Sequence, residues 1–438
     1  MRKRSVCGMA CLLLTGVLAG CGAVGWRQEQ TTDRAGAWTE SETQSVVLPE
    51  RIWPEEEKSE EMEMTEAATT KEAVGEIWLW QAKPQPPKKD PLEALLDDPY
   101  GDYQEEGGEI AFVADGPVMD GGYNEAIYKG IRMYALAAGI SFSYYSTDAA
   151  VADMAGGFQE VVRRAVRGGA NVIVCSGYDF QEAVGTMQET CPDVSFLLID
   201  GVPLSEDGEH VAIRDNVHCV AFHEEQAGYL AGYMAVLEGY RRFGFIGGRE
   251  VDSVLRYGYG YLQGIDDAAM EMALTDVEVN YRYAETFQPS EEIREMIQGW
   301  FEEGTEIIFV CGGSLYRPAV EAADSTDGRL IGVDMDQNQL SDCFLTSAVK
   351  GLDDAVIISL DDYYASGKKW SEEFAGKLTW YGVENHCAGI PTFGTAWRFE
   401  HVTMETYYEI YKRMKRGEIS VSDKTDVRPS ISVAVEYF

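Results

Sequence analysis

Short apolar runs alternate with longer amphipathic stretches from about residue 109 to the end of the chain. Ile110–Ala114 is an unbroken apolar run of strand length. Tyr123–Ala138 carries Ala126, Ile127, Gly130, Tyr134 and Ala138 at helical spacing. Ser141–Ser146 alternates as a strand, Phe158–Arg167 reads as a helix and Asn171–Cys175 as a buried strand. A helix over Phe180–Thr190 and a strand over Phe196–Ile199 follow. Later strands are expected at Arg242–Ile246, Val277–Tyr283, Ile307–Val310, Leu330–Val333 and Ile431–Val435, with helices between most of them. Continuous apolar strands separated by helices mean parallel sheets covered on both faces. The units are too many for one small sheet, so two α/β lobes are predicted.

The first hundred residues read differently. Arg2, Lys3 and Arg4 precede an apolar run from Val6 to Ala19, too short for a membrane span and typical of a secretory signal. The run ends Leu18-Ala19-Gly20-Cys21, which resembles the lipobox of bacterial lipoproteins. In that class the signal is cut before the Cys and the Cys carries lipid, so Cys21 is the predicted anchor; the alternative is an ordinary signal with a chance Cys. Two or more acyl chains anchor stably. Residues 21–107 show no sustained period and hold Glu55-Glu56-Glu57, Glu60-Glu61 and Pro84-Gln85-Pro86-Pro87. They read as a solvated acidic tether with a span of roughly 50 Å; the Trp78–Trp80 patch is a candidate docking element within it.

Charge narrows the partners. Asp plus Glu is 74 and Lys plus Arg is 36, a formal net charge of −38. Losing the signal removes three basic residues and leaves −41. Such a surface repels phosphate backbones, which excludes nucleic acid as a partner, and it argues against holding anionic lipid through basic residues. No stretch reaches the ~18 apolar residues of a spanning helix. Of nine Cys, the six beyond the tether are Cys175, Cys191, Cys219, Cys311, Cys343 and Cys387. They form no CxxC pair and no disulfide ladder, and buried free thiols are the plainer expectation.

Enzyme signatures are missing. Gly258-Tyr259-Gly260 with Gly264 lies inside a helical pattern rather than after a strand. There is no Walker loop, GxSxG elbow or HExxH, and the five His show no zinc spacing. Asp334-Met335-Asp336-Gln337-Asn338 opens like a calcium loop and then fails at Gln339 and Leu345. No cofactor is therefore expected. What recurs is polar residues at strand C-termini: Asp115–Asn124, Gly177-Tyr178, Asp200, Gly312-Gly313 and Asp334. Each alone is more commonly a helix cap or loop residue. Five at equivalent places suggest a shared cleft, where open α/β sheets bind ligands.

Four segments carry a family resemblance: Asp120-Gly121-Gly122-Tyr123-Asn124; Phe243-Gly244-Phe245-Ile246-Gly247-Gly248 with Tyr257 and Gly264; Gly332-Val333-Asp334-Met335-Asp336-Gln337; and Leu345-Thr346-Ser347-Ala348-Val349-Lys350 with Asp353. In order and spacing they resemble the basic-membrane-protein family of substrate-binding lipoproteins of ABC importers, similar to the purine-nucleoside receptor lipoprotein. Tyr123 and Tyr257 stand where Phe is common, Glu125 where Gln is common, and the segment after Gly248 lacks the usual Pro.

The resemblance implies a type I periplasmic-binding-protein fold, two Rossmann-like α/β lobes joined by three crossing segments. With crossings near 222, 347 and 392, residues 108–222 with 348–392 form one lobe and 223–347 with 393–438 the other. It also implies a small-molecule ligand, a nucleoside, in the cleft and an ABC permease as partner, with the membrane reached through lipid at Cys21. The receptor is expected as a monomer. Tyr123 and Tyr257 are the candidates for stacking on a base, with core packing the alternative for Tyr257. Asp334 and Lys350 fit the ribose by resemblance. Asp200 and Asn124 are assigned to base edges, and Asp120, Tyr178 and Gly312 complete the predicted site. A receptor for a sugar, a quorum signal or another small molecule, and a nucleoside-processing enzyme such as a hydrolase, stand as alternative functions.

Overall fold

A computed structural model describes residues 107–147, 156–393 and 396–438. The signal at 1–20, Cys21, nearly all of the 21–107 tether and Trp78–Trp80 lie outside the described residues. Strand β1 (Ile110–Ala114) leads into helix α1 (Tyr123–Ala138), as its spacing predicts. β2 (Phe142–Ser146), α2 (Gly157–Arg167), β3 (Val172–Ser176), α3 (Gln181–Thr190), β4 (Ser195–Ile199) and β5 (Val217–Phe222) follow. These strands and β11 (Lys377–Tyr381) build one sheet in the order β11-β5-β4-β3-β1-β2, every neighbour parallel. β1, β3, β4 and β5 are buried at every position. Helices cover both faces, which is why their sequences run apolar rather than alternating.

The chain leaves this sheet after Phe222 through α4 (Glu224–Glu238) and enters β6 (Arg242–Gly247) and α5 (Asp252–Glu271). Next come β7 (Glu278–Tyr283), α6 (Glu291–Glu302), β8 (Ile307–Cys311), α7 (Tyr316–Thr326), β9 (Arg329–Asp334) and β10 (Phe344–Lys350). After β10 the chain forms α8 (Leu352–Ala365) and β11, then β12 (Ala388–Gly389), α9 (Met404–Lys415) and β13 (Ala434–Tyr437). The second sheet has the order β12-β10-β9-β8-β6-β7-β13, parallel except for the short antiparallel pair β10–β12. Thus β10 holds the second sheet as far as Lys350, and the chain is back in it by Ala388. Among the described residues no helix is long and apolar enough to cross a membrane.

β5, β10, β11 and β12 were not foreseen, and the last strand differs from the expectation. β5 carries His218, which reads as an interruption of the apolar run. In place it stacks on Phe374 at 4.2 Å, contacts Thr379 Oγ1 at 3.1 Å, and burial pushes its pKa down to about 3, so it is a neutral core ring. β11 is an edge strand with two of its five positions exposed and only Tyr381 buried, so it lacks an apolar signature. The last strand starts at Ala434 rather than Ile431, because the amides of Ser432 and Val433 donate to Asp266 Oδ1 instead of a strand. Cys175, Cys219, Cys311 and Cys343 are buried free thiols, as the plainer reading expects.

The glycines of the 258–264 segment serve helix packing. A Cβ on Gly260 would stand 2.1 Å from Glu225 O, and one on Gly264 2.1 Å from Tyr229 O. Gly228 and Gly232 on α4 meet the α5 backbone in the same way. The two helices therefore touch backbone to backbone. That contact fixes Glu224 at the start of α4 beside Arg256 and Tyr257 on α5.

Candidate ligand-binding cleft

Strand C-termini from both sheets converge on one cavity of about 300 Å³, at the small end of the range for small-molecule sites. Asp115 follows β1, Tyr178 follows β3, Asp200 follows β4 and Gly312 follows β8, while Asp334 and Lys350 end β9 and β10. All nine cleft residues predicted from sequence line this cavity. Asp200 and Asp334 hold left-handed backbones, φ 56° and 66°. Asp tolerates that region better than most residues, and such strain concentrates where a side chain must be aimed.

Lys350 is the hub. Its Nζ lies 2.5 Å from Asp200 Oδ2, 3.4 Å from Glu224 Oε1 and 3.7 Å from Asp334 Oδ1, and its side chain is 3% exposed. The rings of Tyr123, Phe222 and Tyr257 have their centres 5.0, 5.2 and 5.9 Å from the same nitrogen, within reach of cation–π attraction. Burial works against the ammonium, but the three carboxylates outweigh it and hold Lys350 charged. Burial raises Asp200 and Asp334 to about 6, opposed by Lys350. Glu224 would also be raised by burial, but Arg256, at 2.6 Å, and Lys350 bring it below its ordinary value. Glu224 and Arg256 thus complete an ion network that nothing in the local sequence pattern signals.

Around Tyr123 the chemistry changes. Asp120 gives both oxygens to the first turn of α1, accepting from the amides of Gly122, Asn124 and Glu125. It lines the cavity, yet its carboxylate positions the helix rather than standing free for a ligand. Asn124 Nδ2 donates to Asp115 Oδ1 at 2.9 Å and to Pro117 O at 3.4 Å. Tyr123 is partly buried, with its hydroxyl 3.4 Å from Ile199 O. Tyr257 is 2% exposed, packs edge-on against Phe309 and donates its hydroxyl to Asp334 at 3.3 Å. It joins both readings, core packing and cavity wall. Gly312, at φ 145°, leaves the space that Phe287 fills, 2.8 Å from where a Cβ would sit.

Phe287 is a cavity wall the sequence did not reveal, and the Arg249 guanidinium lies 4.9 Å from its ring centre. Arg249, after β6, also reaches Asp179, after β3, at 3.2 Å. The amide of Ser253 donates to Tyr178 Oη at 2.9 Å, and Gln337 Nε2 donates to Gly121 O at 2.8 Å. These bonds join residues following the first sheet's strands to residues following the second's, so they tie the two sides of the cavity together. Among the described residues no group of His, Cys, Asp and Glu is arranged to hold a metal ion.

Residues 108–424 match the family described as ABC transporter substrate-binding protein PnrA-like. Basic membrane protein B of Borreliella burgdorferi is 29% identical over 240 residues, 54% of this chain and 66% of its own length. The ABC transporter nucleoside-binding protein BmpA of Lactococcus lactis is 22% identical over 236 residues, 51% of this chain and 62% of its own. The chain therefore spans slightly less than two thirds of these relatives. A crystal structure of an ABC transporter solute-binding protein from Aeropyrum pernix K1 superposes with a TM-score of 0.56 at 22% identity, covering 71% of this chain and 86% of that one. At that identity the likeness speaks for the fold alone, and the fold is the expected type I periplasmic-binding-protein class. The matching family is one of binding proteins and not of enzymes, in agreement with the missing catalytic signatures. The chain belongs to the PnrA-like family of ABC transporter substrate-binding proteins.

Proposed function

We propose that this chain is an extracytoplasmic receptor for an ABC importer that closes two lobes on a purine nucleoside. The proposed lobes, 108–222 with 348–392 and 223–347 with 393–438, follow the two sheets except at two boundaries, where β10 stays in the second sheet to Lys350 and β12 rejoins it at Ala388. The observation that carries the reading is the Lys350 cluster beneath aromatic walls. Asp334 offers an acceptor and Lys350 a charged donor, the pair that a vicinal diol needs. Tyr123, Tyr257 and Phe287 offer ring surface, and base–aromatic stacking contributes roughly 1–3 kcal/mol per base. The cavity lining carries six carboxylates against two cations. It therefore opposes a phosphate, which favours a nucleoside over a nucleotide. A relative described as nucleoside-binding points the same way. Closure held by Asp179–Arg249 and Tyr178–Ser253 gives a permease one shape to read.

Calorimetry with guanosine, inosine, adenosine, uridine and ribose tests this. Purine nucleosides are expected to bind far more tightly than ribose, and chromatography should return them intact. Ribose binding as tightly as any nucleoside would make the protein a sugar receptor, and a cleaved nucleoside would make it an enzyme.

The receptor is proposed to sit on the outer face of the membrane through lipid on Cys21, with residues 21–107 as its acidic tether. Cys21→Ser should release it into the soluble fraction. A variant that still partitions into detergent like the parent would remove the lipid assignment.

A further inference from the structure

Two charged residues are buried behind the cavity without lining it. Glu224, at the start of α4, is 1% exposed and Arg256, on α5, is 7% exposed. Arg256 Nε donates to Glu224 Oε2 at 2.6 Å. The other oxygen, Glu224 Oε1, lies 3.4 Å from Lys350 Nζ. The Arg256 guanidinium also stands 5.1 Å from the ring centre of Trp380, on β11 of the first sheet. A carboxylate and an aromatic face together hold a guanidinium in one place. Arg256 is thus committed to Glu224.

The charges around Lys350 give this contact its meaning. Asp200, Glu224 and Asp334 all reach its ammonium, but only Asp200 and Asp334 line the cavity. Nζ stands closer to Asp200, at 2.5 Å, than to Glu224. Burial would raise the Glu224 carboxyl, and Arg256 and Lys350 together bring it below its ordinary value. Without Arg256, Lys350 would be the one counterion left to a buried carboxylate among the described residues. Such a carboxylate either draws the cation towards itself or takes up a proton. We propose that Arg256 is a positioning residue for the binding site: by satisfying Glu224 it leaves the Lys350 ammonium at the cavity face, shared between Asp200, Asp334 and the ligand. The inference rests on the nucleoside reading above and adds to it a residue that does not meet the ligand.

Other titratable groups around Glu224 do not change the argument. Burial raises Tyr178, Tyr257 and Cys311, so they stay uncharged. His223 and Glu225, beside Glu224 in the chain, pair with each other at 2.9 Å and are common to parent and variant.

Calorimetry with guanosine on the full chain tests this. Arg256→Met should weaken binding about tenfold at pH 8, equivalent to about 1.4 kcal/mol. Glu224, without its guanidinium, is protonated more readily as pH falls, which returns Lys350 to the cavity face. The ratio of parent to variant affinity should therefore be smaller at pH 5.5 than at pH 8. Arg256→Lys keeps the charge and should bind closer to the parent. In the double variant Arg256→Met with Glu224→Gln nothing competes for Lys350, and most of the lost affinity should return. A residue that only held the fold would show neither the pH dependence nor the rescue. Arg256→Gln, which retains a hydrogen-bond donor, takes the place of Arg256→Met where that variant folds poorly. Parent affinity in the single variant, or a double variant as weak as the single one, would overturn the inference while guanosine binding by the parent upholds the nucleoside reading. Failure of the parent to bind any nucleoside would overturn both.

Discussion

Lys350→Met is expected to destabilise the protein by about 3–5 kcal/mol at pH 7.5, the range for removing one member of a buried ion network. The ammonium is 3% exposed and meets Asp200, Glu224 and Asp334 within 3.7 Å. Without it Glu224 keeps Arg256, but Asp200 and Asp334 are left as buried carboxylates facing each other's charge. The loss should also depend on pH. Both aspartates already stand at about 6 in the intact fold, above their ordinary 3.8. Removing the cation that lowers them moves them higher still. A carboxyl whose folded value exceeds its unfolded one binds more protons in the folded state between the two values. Its favourable contribution is complete below about 3.8 and is lost as pH rises through the folded value. The variant's deficit should therefore be smallest near pH 5 and largest near pH 8. Urea unfolding of parent and variant at both pH values measures it. Equal stability of the two proteins at pH 7.5 would show that these groups are not an ionised network.

That network also shows where local sequence pattern stops carrying information. Ile110–Ala114, Val172–Ser176 and Ser195–Ile199 are legible because a strand buried on both faces must be apolar throughout. The strand-end residues Asp200 and Asp334 are legible because ligand sites in such sheets form at those ends. Glu224 is different. With Glu225 it opens a helix, where two acidic residues ordinarily stand in water and favour the helix dipole. Only the backbone contact of α4 with α5 buries Glu224 to 1% exposure against Arg256, 32 residues away. Phe287 sits in a connection between β7 and α6 with no periodicity to mark it. Asp179 and Arg249 are 70 residues apart and meet only when strand ends from the two sheets face each other. The sequence therefore shows which residues stand at the ends of the strands. Which of them pair across the cleft is decided by tertiary packing.

Asp334→Asn should move binding and stability in opposite directions. The substitution keeps the shape of the side chain, and Asn tolerates the left-handed backbone that Asp334 adopts at φ 66°. Ala would add strain of its own there, which makes it the poorer test. The amide oxygen can still accept from the Tyr257 hydroxyl, now 3.3 Å from the carboxylate. Lys350 retains Asp200 and Glu224 as counterions. What disappears is a buried negative charge, disfavoured at neutral pH because burial has raised its carboxyl to about 6. The ligand-free variant should therefore melt no lower than the parent at pH 7.5. Nucleoside affinity should nevertheless fall about ten- to a hundredfold, because a hydrogen bond from the ribose diol to a charged acceptor contributes about 1.5–3 kcal/mol. A residue that only held the fold would lose stability along with binding. A residue whose charge is maintained for the ligand weakens the empty protein and strengthens the complex. Calorimetry with guanosine and a melting curve without it, on the same preparations, separate the two. Full affinity in Asp334→Asn would take the ribose contact away from this carboxylate.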